Sequence, residues 1–485
     1  MKQRPSMSAK VGLSSLLLSL LLHGCSVGPT YKAPPTPGAA LAPFHNKVET
    51  PDASNSPAPP LDSWWTGFND PMLVKIVERA LNENLDLAAS LERVNQARAA
   101  AAGAGARLYP TGELDAFANA DHQSLEGNLG TISKQSPGFR RNIHEYAVGP
   151  VASWEIDVAG GIRHNAAAAR DEVQAAEAER IGTRIVVAAD AADGYLQVRG
   201  YQARIAIAKS QIDTDEHLLK LVQDRYDAGA ATKRESAQAE ALLQQARSTV
   251  PALQLGLERQ LNRLDVLMGA QPGTYARELD AVAPIPSIPS IVSQTPVDVL
   301  RRRPDVIAAE RRLAASNERI GVAVAEYYPK ISLSGVLGFD SLNSGSLFTS
   351  GGFQAAAIGG LRWRLFDFGR VDAEVKQARG ANAEALIDYR QSVLKAAEDV
   401  ENALALLSET QSYGTQVGAE VQSLTRARDL SEQAYKAGSI TLTDVLDADR
   451  ELLTAQDQLD ANRADTVRAA VVVFRSFGGG WQPPQ

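Results

Sequence analysis

The chain has 485 residues, of which 44% are hydrophobic and only 6% aromatic, and its net charge is −8. This length allows two or three domains, and an acidic chain without a basic cluster is not expected to bind nucleic acid. No stretch beyond the N-terminus has about 18 consecutive apolar residues, so the sequence predicts no membrane-spanning helix in the mature chain.

The N-terminus has the pattern of an export signal. Basic residues precede an apolar core over residues 11–22, which is too short to span a bilayer. Cys25, the only cysteine, follows Gly24 just after this core, and a lone cysteine cannot form an internal disulfide. The pattern predicts a lipoprotein signal over residues 1–24 and acylation of Cys25. The alternative is an ordinary signal peptide with an incidental cysteine.

Residues 25–71 are predicted to form an extended, lipid-anchored leader. Nine of the 24 prolines lie between Pro29 and Pro60, and this stretch has no helical periodicity. Ordered structure is predicted to begin near Trp64, and the first amphipathic helix near Pro71.

The remainder of the chain is an internal duplication. Four pairs of motifs recur in the same order, at an offset of 219 residues for the first two pairs and about 209 for the last two. The pairs are Asn84-Leu85-Asp86-Leu87 with Arg303-Pro304-Asp305-Val306, Leu108-Tyr109-Pro110 with Tyr327-Tyr328-Pro329, Trp154 and Asp157 with Trp363 and Asp367, and Arg225-Tyr226-Asp227-Ala228-Gly229 with Ala434-Tyr435-Lys436-Ala437-Gly438. The predicted repeats are residues 72–270 and 305–485, separated by a proline-rich linker over 271–304.

Each repeat is predicted to start with a helix of about 30 residues that ends at a Tyr-Pro pair, because proline disfavours helix at the residue before it. Period-two alternation then predicts strands, clearest over residues 146–156, 331–339 and 353–365. Two strands per repeat give four in the chain. Their length suits a tilted membrane-spanning strand of about 9–11 residues.

Very long helices follow the strands. Residues 163–227 are helical in pattern almost throughout, which corresponds to a length on the order of 100 Å. Gly229 and Gly438 are predicted to reverse the two helical hairpins. Residues at 3-4 spacing predict a coiled-coil seam; they are Ile205, Ala208, Ile212, Asp215, Leu219, Val222 and Tyr226, and, in the second repeat, Leu442, Val445, Asp449, Leu452, Gln456 and Leu459.

Four membrane strands require more than one chain. Backbone groups at an open sheet edge cannot face lipid, and single-chain barrels start at about eight strands. Two chains would supply eight strands and three would supply twelve. The strand count alone leaves both numbers open, although an eight-stranded interior is filled by side chains and would not conduct.

The chain resembles the outer membrane factor family, the TolC-like exit ducts of tripartite pumps, and within it the lipoprotein branch that serves resistance-nodulation-division (RND) efflux pumps. The motifs that carry the resemblance are Cys25-Ser26-Val27-Gly28-Pro29-x-Tyr31, Trp64-Trp65-x-x-Phe68-x-Asp70-Pro71, Asp367-Phe368-Gly369-Arg370, Asp444-Val445-Leu446-Asp447-Ala448 and Phe477-Gly478-Gly479-Gly480-Trp481.

The resemblance implies a mainly α-helical homotrimer with a twelve-stranded outer-membrane β-barrel, a twelve-helix periplasmic tunnel and a mixed equatorial region formed by the termini and the linker. Its implied partners are outer-membrane lipid, a periplasmic adaptor protein and an inner-membrane RND transporter. The implied function is an outer-membrane exit duct for drugs and other small molecules. A type I protein-secretion duct and a structural coiled-coil protein of the envelope are the alternatives.

Asp444 and Asp447 are candidates for a periplasmic gate. They are three residues apart on one helix face, and a trimer would arrange them as two rings of carboxylates that attract cations. The resemblance places the periplasmic constriction at these positions. The alternative is a solvated acidic helix start, which the helix dipole favours in any case.

The resemblance also implies a closed tip held by Tyr435 and an acidic partner, Glu235. Ile440 stands where some relatives have an arginine, so their ion pair is absent and the contacts that replace it are not identified. Candidate residues for tip closure and adaptor docking are Arg225, Tyr226, Gly229, Glu235, Tyr435, Gly438 and Ser439, which can equally serve as hairpin turns.

Trp154 and Trp363 are candidates for anchoring at a membrane interface, with ordinary packing as the alternative. The sequence contains no zincin, phosphate-loop or Gly-x-Ser-x-Gly motif. The chain is therefore expected to be no enzyme and to use no cofactor or metal.

Overall fold

In this computed structural model, residues 26–35, 38, 42–46, 58–292 and 294–482 are described. The predicted signal over residues 1–24 and Cys25 lie outside them. The chain divides into two compact units. The first comprises the described parts of residues 1–34, 95–175 and 310–388, and the second comprises those of 35–94, 176–309 and 389–485.

The two halves of the chain contain the same elements in the same order, except that the first half has one additional short helix between its two strands. In the first half these are α1 (Pro71–Glu83), α2 (Leu85–Ala106), β1 (Thr111–His122), α3 (Asn128–Ser133), β2 (Asn142–Ile156), α4 (Gly161–Asp227) and α5 (Lys233–Leu267). In the second half they are α6 (Pro296–Arg302), α7 (Pro304–Ala325), β3 (Lys330–Ser341), β4 (Phe353–Arg362), α8 (Arg370–Lys436) and α9 (Leu442–Ser476). Short 3-10 turns cover Leu61–Phe68, Ala276–Leu279 and Ser344–Ser346. The predicted duplication is confirmed at the level of elements, and α4 and α8 have the same length of 67 residues.

The first unit contains a four-stranded antiparallel sheet in the order β1-β2-β3-β4. Each repeat supplies one hairpin, and β2 joins β3 with Val151 opposite Val336. The ladder between β2 and β3 lacks the pairs at Gly149 and Pro150. Proline has no N–H to donate, so this interruption is what allows a central strand to contain it. The outer edges of β1 and β4 have no strand partner within the described residues.

The predicted first helix of about 30 residues is two helices in each repeat. The break falls at Asn84 in the first half and at Arg303 in the second, where the backbone becomes extended. The Asn84 side chain accepts a hydrogen bond from Leu87 N at 2.9 Å, which caps the new helix. Arg303 precedes Pro304, whose ring disfavours helix at that position.

One predicted strand is too long. The alternation over residues 353–365 predicted a strand through Trp363 and Leu365, but β4 ends at Arg362. The side chains that continue the alternation lie on a non-strand segment leading to Asp367, whose carboxylate accepts from Val371 N at 2.9 Å and so starts α8. A period-two pattern does not show where hydrogen-bonded pairing stops.

The predicted seam on α4 is partly displaced. Its buried row runs through Ala208, Gln211, Asp215, Leu218 and Val222, whereas Tyr226 is 46% exposed. Leu218 therefore replaces the predicted Leu219. On α9 the first four predicted positions are buried, and Ala455 then takes the place of Gln456.

The main core of the second unit joins the leader, the linker and the C-terminal end of the chain. Trp64 stacks on Phe474 with ring centroids 5.3 Å apart. Tyr195 of α4 donates a hydrogen bond to Asp70 at 2.6 Å. Linker residues Leu279 and Ile291 belong to the same buried cluster. No helix within the described residues has the length and apolarity needed to cross a membrane.

Candidate functional site at the ends of the helical hairpins

The tip, defined here as the ends of α4 and α8 and the starts of α5 and α9, lies within the second unit. Each hairpin reverses at a glycine in the left-handed region, with φ of +75° at Gly229 and +76° at Gly438. Ser439 N donates to Ala434 O at 2.9 Å, and the matching bond in the first hairpin is 2.8 Å long. These bonds satisfy helix-terminal carbonyls in the manner of a glycine cap, so both hairpins reverse where the sequence predicted.

The helices that leave these turns begin with matching carboxylates, Glu235 and Asp444, which are 209 residues apart. Glu235 accepts from the backbone and hydroxyl of Thr232 at 2.6 and 2.8 Å. Asp444 accepts from the backbone and hydroxyl of Thr441 at 2.9 and 2.6 Å. These hydrogen bonds hold the pKa of both carboxyls below its usual range. Both residues therefore cap their own helix and are ionised at neutral pH.

Asp447, the second candidate gate residue, lies one turn further along α9. Its carboxylate pairs with Arg450 at 3.0 Å, and the two side chains are 59% and 56% exposed. An exposed pair of this kind contributes little to stability. It does place a positive charge beside one of the two predicted carboxylate rings. Asp444 has no such counter-charge among the described residues.

Arg225 and Tyr435 connect the two hairpins. The Arg225 guanidinium donates to the Tyr435 carbonyl oxygen at 2.7 Å and lies 4.4 Å from the centre of the tyrosine ring. The Tyr435 hydroxyl is buried and has no hydrogen-bond partner within the described residues. Thus the tyrosine predicted from the resemblance is in the interface, held by Arg225, while the Glu235 carboxylate is bound to Thr232.

An apolar cluster holds the hairpin ends together. Leu218 and Val222 of α4 and Leu442 and Val445 of α9 are among its buried members, and Ile440 packs against them. Ile440 therefore adds apolar contact at the tip. The 3-4 spacing on α4 and α9 was the sequence signal for this cluster.

A buried polar layer lies next to the apolar cluster and contains two positions of the predicted seam, Asp215 and Asp449. Asp215 accepts from Gln211 at 2.8 Å, and Asp449 accepts from Arg428 at 3.0 Å. One oxygen of each carboxylate has no partner within the described residues. Burial, and then the nearby Asp449 carboxylate, raise the pKa of Asp215 to about 6. Burial also raises the pKa of Asp449, against the effect of Arg428.

The segments predicted to dock an adaptor are accessible in this chain. Tyr226 is 46% exposed, and Gly229, Gly438 and Ser439 are exposed as well. The tip thus presents a surface of turns and polar side chains. Among the described residues no three His, Cys, Asp or Glu side chains are arranged to hold a metal ion.

The two candidate interface tryptophans make the same contact in each repeat of the first unit. Trp154 Nε1 donates to Leu108 O at 3.0 Å, and Trp363 Nε1 donates to Tyr327 O at 2.9 Å. Each accepting carbonyl lies two residues after the end of the preceding helix and two residues before a proline, Pro110 or Pro329. Both indoles therefore secure the junction between helix and strand.

The sequence profile of the outer membrane efflux protein family matches residues 76–270 and 295–479. The chain is 33% identical over 472 residues to the pyoverdine export outer membrane protein OpmQ of Pseudomonas aeruginosa, covering 97% of both chains. It is 29% identical over 476 residues to nodulation protein T of Rhizobium leguminosarum bv. trifolii, covering 96% of both.

This chain is similar to a solved structure of the outer-membrane channel OprN over the whole length of OprN. The TM-score is 0.83 at 31% identity, and the match covers 95% of this chain and 100% of OprN. The long hairpins and the small sheet described above are therefore the elements of a known channel architecture.

Proposed function

This chain belongs to the outer membrane efflux protein family, and from that premise we propose that three copies form the exit duct of a tripartite pump. The protein is an outer-membrane efflux protein. Beyond this family membership, the proposal includes trimerisation, a lipid anchor at Cys25, a gate at the tip and the partner proteins.

The proposal of a trimer rests on the two sheet edges that have no strand partner within the described residues. The sheet of the first unit ends at β1 on one side and β4 on the other. All its strands alternate in direction, so β4 of one copy would run antiparallel to β1 of the next. Four strands are too few to close, and unpaired edges are not tolerated in lipid. Three copies close a twelve-stranded sheet wide enough to conduct, whereas two copies would leave a filled interior.

The lipid anchor rests on the sequence around Cys25. Several acyl chains on one cysteine anchor a protein stably, whereas a single chain does so weakly. An acylated Cys25 would hold the leader in the outer membrane while the helical hairpins extend into the periplasm.

The tip supports the proposals of a gate and a docking site. In a trimer, three copies of Asp444 and Asp447 would form two stacked acidic rings that narrow the pore and favour cations. The exposed turns at Tyr226 and Ser439 are the proposed contacts for a periplasmic adaptor protein. The adaptor would connect the duct to an inner-membrane RND transporter.

Small molecules are the proposed cargo. The matched relatives include a pyoverdine export protein and the solvent efflux pump outer membrane protein SrpC of Pseudomonas putida. Conduction through a wide lumen needs no catalytic residue and no cofactor. A type I protein-secretion duct would use the same architecture, and the lipoprotein start and the C-terminal glycines favour small-molecule efflux.

Two measurements on the detergent-solubilised protein test the duct. Native mass spectrometry should give three chains, and the same sample should conduct ions in a planar lipid bilayer. A stable monomer that keeps its strand signal by circular dichroism would contradict the closure of the sheet. A trimer without conductance would instead support a structural coiled-coil protein.

A further inference from the structure

Residues 26–31, the first described part of the leader, are bound along α4 and α7 in the first unit. Backbone bonds fix one end, since Val27 N donates to Ala159 O at 3.1 Å. Side chains fix the rest: Asn317 Nδ2 donates to Pro29 O at 3.1 Å, and Tyr31 donates to Glu310 at 3.2 Å. These bonds involve every second position, 27, 29 and 31, of the Cys25-Ser-Val-Gly-Pro-x-Tyr31 motif. The proposed function gives this motif no role beyond the cysteine.

His164 of α4 is the centre of this contact. Its Nδ1 lies 2.6 Å from Glu318 of α7, and its Nε2 lies 2.9 Å from the Val27 carbonyl oxygen. Ser26 Oγ is also 2.8 Å from Nε2. The His164 and Glu318 side chains are only 11% and 18% exposed. The imidazole therefore bridges the two helices and the leader.

Ser26, His164 and Glu318 are in contact in that order, but the arrangement differs from the catalytic triad that activates a nucleophilic serine. A general base must offer a free ring nitrogen to accept the hydroxyl proton. Here the nitrogen that faces Ser26 also faces the Val27 carbonyl oxygen, which is itself an acceptor. When both ring nitrogens carry a proton, Nδ1 donates to Glu318 and Nε2 donates to the Val27 carbonyl oxygen. This form holds the leader and cannot take the serine proton.

The fit at Gly28 is tight. Its φ is +126°, and a Cβ built there would lie 2.7 Å from Gly321 Cα. A Cβ built on Gly321 would in turn lie 2.6 Å from the His164 ring. Backbone meets backbone at this point, which only a pair of glycines permits. The leader and the helix surface are therefore complementary in shape as well as in hydrogen bonding.

We propose that His164, Asn317, Glu318 and Gly321 form a socket that docks the chain's own leader and fixes the residue next to Cys25. Consecutive Cα atoms are about 3.8 Å apart, so docked Ser26 sets the point from which acyl chains on Cys25 would enter the membrane. The docking stands without acylation, and only the positioning of acyl chains rests on the proposed function.

Limited trypsin digestion of the full-length protein in detergent tests the socket. Lys32 is exposed, and cleavage after it removes the docked segment, which intact mass measurement detects. Proteolysis follows the population of the undocked leader. His164→Ala removes hydrogen bonds from the helix side and should raise the cleavage rate at Lys32 by at least about tenfold, the effect of losing one or two hydrogen bonds. Gly28→Ala acts from the leader side, because its Cβ would lie 2.7 Å from Gly321 Cα at a positive φ, and it should raise the rate by at least about as much.

Two matched variants control this test. Glu172→Gln removes the ion pair of α4 with Arg319 of α7, 2.7 Å long, without touching the leader. Thr30→Ala alters an exposed leader position. Both should be cleaved at the wild-type rate. If Gly28→Ala and His164→Ala were cleaved at the wild-type rate, the proposal would be overturned. It would also be overturned if Glu172→Gln accelerated cleavage equally, because that would indicate general loosening of the helices. Gly28 lies outside every helix and strand, so its variant remains informative if His164→Ala does not fold.

Discussion

At the scale of single residues, the tip contains carboxylates in two environments. Asp444 and Asp447 are exposed and locally paired, whereas Asp215 and Asp449 are buried with one unpartnered oxygen each. The hydrogen bonds from Thr441 favour the ionised form of Asp444, whereas burial disfavours the ionised forms of Asp215 and Asp449. The same residue type can therefore serve conduction at one place and respond to pH at another.

The gate is tested best with asparagine, because alanine would also remove the helix cap at Asp444. Asp444→Asn combined with Asp447→Asn removes two negative charges per chain and keeps oxygen acceptors. In planar bilayers the variant should lose cation selectivity, and block by divalent cations from the tip side should weaken by at least about tenfold, since each short-range ionic contact in water is worth about 1 kcal/mol.

Asp213→Asn is the control for the gate, since it removes an exposed negative charge of α4 that is not among the candidate gate or tip-closure residues. It should leave selectivity and divalent block unchanged. If the double asparagine variant conducts and blocks like wild type, Asp444 and Asp447 are only a solvated helix start.

Asp215 should make stability fall as pH rises. Its pKa is raised from 3.8 to about 6 in the fold, so the folded chain binds more protons than the unfolded chain between these values. Stability therefore decreases through this window and is lowest above pH 6. Asp215→Asn should be more stable than wild type at pH 7.5, by a few kcal/mol at most. This difference should vanish near pH 4 in denaturant titrations.

Asp213→Asn, an exposed change on the same helix, controls for the loss of one negative charge. It should keep the wild-type pH dependence. A constant difference between Asp215→Asn and wild type at all pH values would contradict a buried titrating carboxyl.

At the scale of elements, the hairpins depend on where the helices stop. Gly438 and Gly380 offer a matched pair, since a Cβ built at either would meet no atom within 4 Å, but only Gly438 has a positive φ. Gly438→Ala should destabilise the tip by about 1 kcal/mol, and Gly380→Ala should be neutral or stabilising by up to about 1 kcal/mol. Hydrogen exchange at the last turn of α8 and the first turn of α9 measures the effect of Gly438→Ala, and exchange around residue 380 measures that of Gly380→Ala. Equal protection of the tip in wild type and Gly438→Ala would contradict the strain argument.

At the scale of the whole molecule, the proposed lipid anchor at Cys25 and the sheet would be two separate attachments to the membrane. Cys25→Ser should remove the acyl mass from the mature N-terminus, as measured on the intact protein. The variant should still fractionate with the outer membrane, because the strands do not depend on the anchor. An unmodified Cys25 in the native protein would contradict the lipoprotein assignment.

The sequence by itself determined the features that depend on local chemistry. Prolines and glycines marked the ends of helices, and the 219- and 209-residue offsets revealed the duplication. Period-two and 3-4 patterns predicted strands and long helices, although they did not locate the end of β4 or the buried row of α4. Such ends and rows depend on which neighbours are present, and a periodicity does not contain that information.

Only the tertiary structure decided the contacts between distant parts of the chain. Arg225 meets Tyr435, and His164 meets Val27 and Glu318, across separations that no local pattern connects. Whether Asp215 is a solvated acid or a buried one likewise depends on Asp449 and Arg428 from other helices. Desolvation and hydrogen bonding are properties of the packed environment, so they emerge only when the helices are brought together.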